Sequence, residues 1–229
     1  MLNAKNISKH YGNKSILNNV DLKISAEIKV LIGINGCGKS TLLKIIASII
    51  PADTWNIALN QEDITLLMSE KRHAGYVPQH PALFNHKSVL ENMRYGLRNS
   101  RGSESFLNQM IKILDLEKIL HRKPKELSGG YKSRVSLVRA MAPDPRIMLL
   151  DEPLSQIDVV VKEKLLPEFR DILKLLEIPI LYVTHDPAEA EKIGDTFAVM
   201  VDGTIKEIAS ASEAFDLIKL SAFRSAEAS

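Results

Sequence analysis

The sequence is short of several things, and each shortage excludes a class of protein. Among 229 residues there is one cysteine, Cys37. No intramolecular disulfide framework can form, and a reducing compartment, the cytosol by default, is expected. Charge of one sign is also missing: 30 Lys and Arg against 28 Asp and Glu leave a formal +2, with no basic arm. That is too little to drive nucleic-acid binding through counterion release. Long apolar runs are absent. Leu42 to Ile50 is interrupted by Lys44 and Ile178 to Val183 is short, against the ~20 residues of a membrane span; any membrane role is expected to be peripheral. Met1 to Gly12 is polar and lacks the apolar core of a secretory signal. No repeat and no low-complexity tract stands out.

What remains is ordinary for a soluble globular chain, with 45% hydrophobic and 25% charged residues. The length suits one sizeable domain or one and a half. Lys29 to Ile34, Ile147 to Leu150, Ile180 to Thr184 and Phe197 to Val201 read as buried strands. Ser40 to Ser48 and Val159 to Glu177 read as helices between them, with Pro167 suggesting a kink or a late start in the second. Alternating strands and helices argue for a mainly parallel sheet covered on both faces. From about His80 to Ala142 the apolar spacing is helical throughout, with Leu107, Met110, Ile111, Ile113 and Leu114 as one stripe and Val135, Leu137, Val138 and Met141 as another. Leu17 to Ile28 alternates as an antiparallel strand at one side.

Chemistry concentrates in Gly33-Ile34-Asn35-Gly36-Cys37-Gly38-Lys39-Ser40-Thr41. This fits the G-x-x-x-x-G-K-S/T spacing and lies between an apolar strand and a helical run, the setting of a phosphate-binding loop. Glycines at 33, 36 and 38 let successive N–H groups converge on phosphate oxygens, and the helix that follows adds its positive end. Lys39 would bring its charge to the β- and γ-phosphates, and the Ser40 hydroxyl would be a magnesium ligand. Cys37 reads as a small residue filling the loop; its thiol is expected to be alkylatable and protected by bound nucleotide.

Two further strands end in polar groups. Ile147 to Leu150 runs into Asp151-Glu152-Pro153, and Ile180 to Thr184 into His185-Asp186. A strand-ending acid pair also suits plain solvated surface, and a lone histidine is usually only hydrogen-bonded. With a phosphate loop in the same chain, Asp151 can hold the magnesium shell while Glu152 orients or deprotonates a water. In open parallel sheets ligands bind beyond the carboxyl ends of the strands, where His185 would also stand. Leu127-Ser128-Gly129-Gly130-Tyr131 opens another helical pattern, with Ser128 as N-cap and two glycines leaving N–H groups accessible to an anion.

In combination and order, these segments resemble the ATP-binding subunits of ABC transporters, from about Leu2 to Ile208. Gly33 to Thr41 is similar to Walker A, Tyr76-Val77-Pro78-Gln79 to the Q-loop, and Leu127 to Gly130 to the signature. Asp151 and Glu152 are similar to Walker B with its catalytic glutamate, Ser155 to Asp158 to the D-loop, and His185 to the switch histidine. The resemblance implies an α/β fold: a P-loop NTPase core, RecA-like with a mainly parallel sheet, over residues 1–79 and 143–208 and including an antiparallel β subdomain. A helical subdomain would occupy 80–142 and a helical tail 209–229. It implies ATP and Mg2+ as cofactors. Tyr11, where the family stacks an aromatic ring on adenine, would hold the nucleotide with Gly33, Asn35, Gly36, Cys37, Gly38, Lys39, Ser40 and Thr41. Ser40, Gln79 and Asp151 would surround the metal, and Glu152, His185, Gln79 and Lys39 would act in catalysis. Ser128, Gly129 and Gly130 would reach across a head-to-tail homodimer to the γ-phosphate held by the other copy, and Asp158 belongs to the nucleotide set. The implied partners are integral-membrane permease subunits and, indirectly, a solute-binding protein. The implied location is the cytoplasmic face of the cell membrane, as a peripheral subunit.

Tyr131 and Ser133 stand where the family has glutamines, and Trp55 and Gln61 where it has glycines. Tyr131 bears on the tightness of dimer closure, with packing of its ring on the partner as an alternative. Pro81 to Val89 with Glu91-Asn92 and Tyr95-Gly96-Leu97 resembles bacterial importers of oxyanions, iron, polyamines and sugars. Lys164 to Pro167 and Leu181 to His185 lean toward the molybdate, tungstate or sulfate branch. Many of those carry a C-terminal regulatory β-domain, for which this length leaves no room. The expected function is ATP hydrolysis that powers solute import. The alternative is a nucleotide-gated interaction or regulatory module with weak or no hydrolysis; a P-loop kinase or GTPase is disfavoured by the order of the motifs.

Overall fold

The computed structural model describes residues 1–97 and 102–227; residues 98–101 of the expected helical insert and 228–229 of the expected tail lie outside the described residues. The first half holds β1 (Leu2–Tyr11), β2 (Lys14–Ile24), β3 (Ile28–Ile32), α1 (Lys39–Ile46), β4 (Thr54–Leu59), β5 (Glu62–Asp63), α2 (Ser69–Arg72), β6 (Ala74–Val77), α3 (Val89–Arg94) and α4 (Glu104–Ile113). The second holds α5 (Gly129–Met141), β7 (Ile147–Asp151), α6 (Val159–Lys174), β8 (Ile180–Thr184), α7 (Pro187–Ile193), β9 (Thr196–Val201), β10 (Thr204–Ile208) and α8 (Ala211–Glu227).

Two sheets result, one antiparallel in the order β2-β1-β4-β5 and one of six strands in the order β10-β9-β3-β8-β7-β6. In the second, every pairing is parallel except that of β10 with β9. The central strands β3, β7 and β8 are buried at every position. Their residues still alternate between two cores. Leu31, Leu149, Leu181 and Val183 face the core shared with α1 and the antiparallel sheet. Val30, Ile32, Leu150 and Tyr182 face the core shared with α5, α6 and α7. Burial on both faces is why these strands read as unbroken apolar runs. The mixed α/β reading with an antiparallel part at one side is therefore what the chain adopts.

Local readings needed correction in four places. Residues 80–88 form no helix, and the insert is α3, α4 and α5 separated by turns. Buried Asn92 explains this: its side chain accepts from the Phe84 N–H and donates to the carbonyls of Phe84, Lys87 and Ser88, holding an irregular loop in place. Ile113 is exposed, because 107, 110, 111 and 114 already complete the i, i+3, i+4, i+7 face. There is no late start at Pro167, which lies inside α6 on its exposed side, where the carbonyl one turn earlier can be hydrated. Finally, β2 ends at Ile24 and Ile28 opens β3.

Polar Met1 to Gly12 conceals a long strand. Leu2, Ala4 and Ile7 are buried, and the alternation breaks at Asn6, whose φ is 54° and where the register with β2 shifts. Gln61 has φ 68°, so glutamine here occupies the left-handed conformation in which the family places a glycine.

Candidate nucleotide site

The sheet order turns separate motifs into one site. Strands β3, β8, β7 and β6 are neighbours and parallel. Their carboxyl ends therefore deliver the phosphate loop, His185, the Asp151-Glu152 pair and Gln79 along one edge, the crevice where open α/β sheets bind ligands.

The loop from Gly33 to Gly38 is shaped by close approaches. A Cβ on Gly33 would come 2.7 Å from Cys37 Sγ and 2.8 Å from the Met200 carbonyl oxygen. Gly38, with φ 112°, passes so near the Ile16 carbonyl that a Cβ would lie 2.8 Å from it. Gly38 is also the N-cap of α1 and supplies no side chain to the helix's first N–H groups, and no acid occupies its first turn. The positive end of α1 is thus left facing outward for an anion. Lys39, 5% exposed, donates from Nζ to the carbonyls of Gly33 and Ile34 at 2.7 and 2.9 Å. A cavity of about 420 Å³ opens over the loop, lined by Tyr11, Ile16, Asn35, Gly36, Gly38, Lys39, Ser40, Thr41, Gln79 and Glu152.

Glu152 is the hub. It is buried with φ 47°, a conformation that costs a non-glycine residue energy and is kept where surrounding structure over-determines it. Its N–H donates to the Val183 carbonyl at 3.0 Å. One carboxylate oxygen stands 3.7 Å from Lys39 Nζ. The other accepts from Gln79 Nε2 at 3.2 Å and pairs with His185 Nδ1 at 2.8 Å.

Asp151, also buried, accepts from the Ser40 hydroxyl at 2.9 Å and, on its second oxygen, from the Tyr76 hydroxyl at 3.3 Å. Burial pushes its carboxyl pKa up, and that of the Tyr76 phenol as well. A buried carboxylate beside a hydroxyl, with no ion pair among the described residues, is a hard-oxygen donor set that fits Mg2+. No cluster of three or more His, Cys, Asp or Glu side chains competes for a softer metal among the described residues. The role of Tyr76 had no local signal, since it meets Asp151 from 75 residues away.

Other sequence-derived residues stand apart. Ser128, Gly129 and Gly130 do not line the cavity; Ser128 caps α5, and the two glycines begin it. Asp158 caps α6 by accepting from the Val161 N–H at 3.0 Å. The Tyr131 ring is half-buried against its own protomer's core with Arg134 beside it, and Ser133 donates to the Pro153 carbonyl at 3.0 Å. That bond ties α5 to the segment after Glu152. Gln156 and His80 hydrogen-bond to each other, linking the segments that follow Glu152 and Gln79.

Cys37 is half-buried behind the loop, and its pKa is raised by burial, against the lowering influence of Lys39. At pH 7 the thiol is held in its protonated, unreactive form. Iodoacetamide is therefore expected to modify Cys37 slowly, about tenfold faster per pH unit up to the thiol's pKa, and more slowly still with ATP present. Mass spectrometry of the intact chain checks this; rapid labelling at pH 7 would contradict it.

Comparison with known proteins agrees with this geometry. The ABC transporter family model matches residues 17–155. The molybdate/tungstate import ATP-binding protein WtpC of Archaeoglobus fulgidus is 44% identical over 199 residues, 86% of this chain and 83% of that protein. The sulfate/thiosulfate import ATP-binding protein CysA of Methylococcus capsulatus is 38% identical over 224 residues; the match covers 94% of this chain and 64% of that protein. Among solved structures, a dimeric bacterial ABC transporter cassette superposes with a TM-score of 0.80 at 28% identity, over 91% of this chain and 98% of that one. A cassette in a post-hydrolysis state bound to ADP and Pi gives a TM-score of 0.78 at 27% identity, again over 91% and 98%.

Proposed function

We propose that this chain, which belongs to the ABC transporter family, is an ATP-hydrolysing subunit that powers import of a tetrahedral oxyanion through membrane permease subunits. The observation that carries the hydrolytic part is the convergence of Gln79, His185 and Lys39 on Glu152 beside the phosphate loop. The oxyanion part draws on the names of the relatives, which specify molybdate, tungstate, sulfate and thiosulfate.

In this reading Tyr11 packs on the adenine, and the N–H groups of Asn35 to Thr41 with Lys39 hold the β- and γ-phosphates. Ser40 and Asp151, with Gln79 nearby, would hold Mg2+, which would supply neutralisation of the phosphate charge. Glu152 accepts the proton of the attacking water. His185 orients Glu152, and Gln79 couples the site to the helical arm over residues 80–142, where a permease docks. Ser128, Gly129, Gly130 and Asp158 complete the site of a second copy, so closure of a homodimer assembles two such sites. A solute-binding protein outside the membrane delivers the anion. No helix among the described residues is long and apolar enough to cross a membrane, in keeping with a peripheral place on the permease.

The test is transport. Proteoliposomes holding the chain and its permease subunits are expected to take up labelled molybdate or sulfate only with ATP and Mg2+ on the side of this subunit. Robust ATPase without uptake of any tetrahedral oxyanion would overturn the solute; nucleotide binding without turnover would favour a regulatory module.

A further inference from the structure

Behind His185 lies a polar cluster with no part in the roles above. Lys162, one turn into α6, donates from Nζ to Asp186 Oδ2 at 2.7 Å and to Glu189 Oε2 at 3.1 Å. Glu189 is 3% exposed, and its other oxygen accepts at 2.6 Å from the hydroxyl of fully buried Tyr182 on β8. The second oxygen of Asp186 caps α7, accepting from the N–H groups of Ala188 and Glu189 at 3.0 and 3.2 Å. The Asp186 N–H donates to Thr184 Oγ1 at 3.1 Å. The side chains on either side of His185, Thr184 and Asp186, are thus both hydrogen-bonded.

One cation thus holds together two acids that would otherwise repel at i and i+3 across the start of α7. It also supplies the only cation paired with the buried Glu189 carboxylate among the described residues. Burial works against the ammonium, yet its hydrogen bonds and charge contacts with Asp186 and Glu189 raise its pKa overall, so it stays charged. The consequence reaches the site because of where the two helices begin. The N-cap of α6 is Asp158, which ends the segment leaving Glu152, and the N-cap of α7 is Asp186, next to His185. Lys162 ties these two beginnings together.

We propose that Lys162 is a positioning residue for hydrolysis: through Asp186 it fixes the backbone that carries His185, so that Nδ1 stays against Glu152. This rests on the reading of Glu152 and His185 as hydrolytic groups. The experiment pairs steady-state ATPase kinetics with NMR of the full chain labelled at histidine. In Lys162→Met, kcat is expected to fall about tenfold while KM for ATP stays within about twofold. The His185 resonance, identified by its loss in His185→Ala, is expected to move, and Lys162→Arg should restore both readouts. If Lys162→Met does not fold, Asp186→Asn keeps a capping oxygen while removing the charge, and is read the same way. A folded variant in which either kcat or the His185 resonance keeps its wild-type value overturns the proposal. Full turnover in Glu152→Gln would instead remove the reading beneath it, whatever Lys162 does.

Discussion

Replacing Glu152 by glutamine is expected to lower ATP turnover by about 10²- to 10⁴-fold, the usual contribution of a positioned general base. Glutamine keeps the length and can still hydrogen-bond Gln79 and His185, whose donors meet Glu152 at 3.2 and 2.8 Å. What it loses is the capacity to take a proton. Nucleotide affinity should not fall, because the first N–H groups of α1 are unchanged and Lys39, though it loses the carboxylate charge 3.7 Å away, keeps its bonds to the Gly33 and Ile34 carbonyls. Binding without turnover should leave the ATP-bound homodimer long-lived. Phosphate release, fluorescent-nucleotide titration and size exclusion with ATP measure the three effects. Turnover within about threefold of wild type would remove Glu152 as the base.

The second large effect concerns stability and comes from Arg72, 2% exposed. Its guanidinium donates to the carbonyls of Leu67 at 3.0 Å, Ile45 at 2.9 Å, Ile46 at 2.7 Å and Thr65 at 2.6 Å. Two of these close the last turn of α1, the helix that follows the Gly33–Gly38 loop, so a cation sits at the negative end of its dipole. No acid pairs with Arg72 among the described residues, and burial lowers its pKa. The planar fork is what four converging carbonyls require. Arg72→Ala leaves the Ile46 and Leu67 carbonyls without this donor, while those of Ile45 and Thr65 keep bonds from the Ser48 N–H and the Trp55 indole, and about 2–4 kcal/mol of stability should be lost. For a chain of this size that is a fall of roughly 10 °C in Tm. Arg72→Lys should recover less than half, since one ammonium cannot match the fork. Thermal and urea unfolding decide it; full rescue by lysine would show that charge alone matters.

Much of the site was readable because its parts are short and contiguous. The phosphate loop lies within nine residues whose glycines, lysine and serine act through their own backbone and the helix they begin. The acids after Leu150 and the histidine after Thr184 were marked by apolar runs stopping at polar groups, and burial on both faces made those runs continuous. The misreadings arose where a distant partner overrode local pattern. Asn92 holds residues 84–88 out of a helix, and a register shift at Asn6 hides β1 from any period-two reading.

The amino-acid order alone therefore marked the residues of the proposed site and determined the class of fold that presents them, because loop conformation, helix polarity and alternation are properties of near neighbours. Only the tertiary structure decided that β3, β8, β7 and β6 lie side by side. It also decided that Glu152 is gripped by groups from three other segments, that Tyr76 meets Asp151, and that Arg72 closes α1. Those are contacts between residues far apart in the chain, and they depend on strand order and register, which no local window contains.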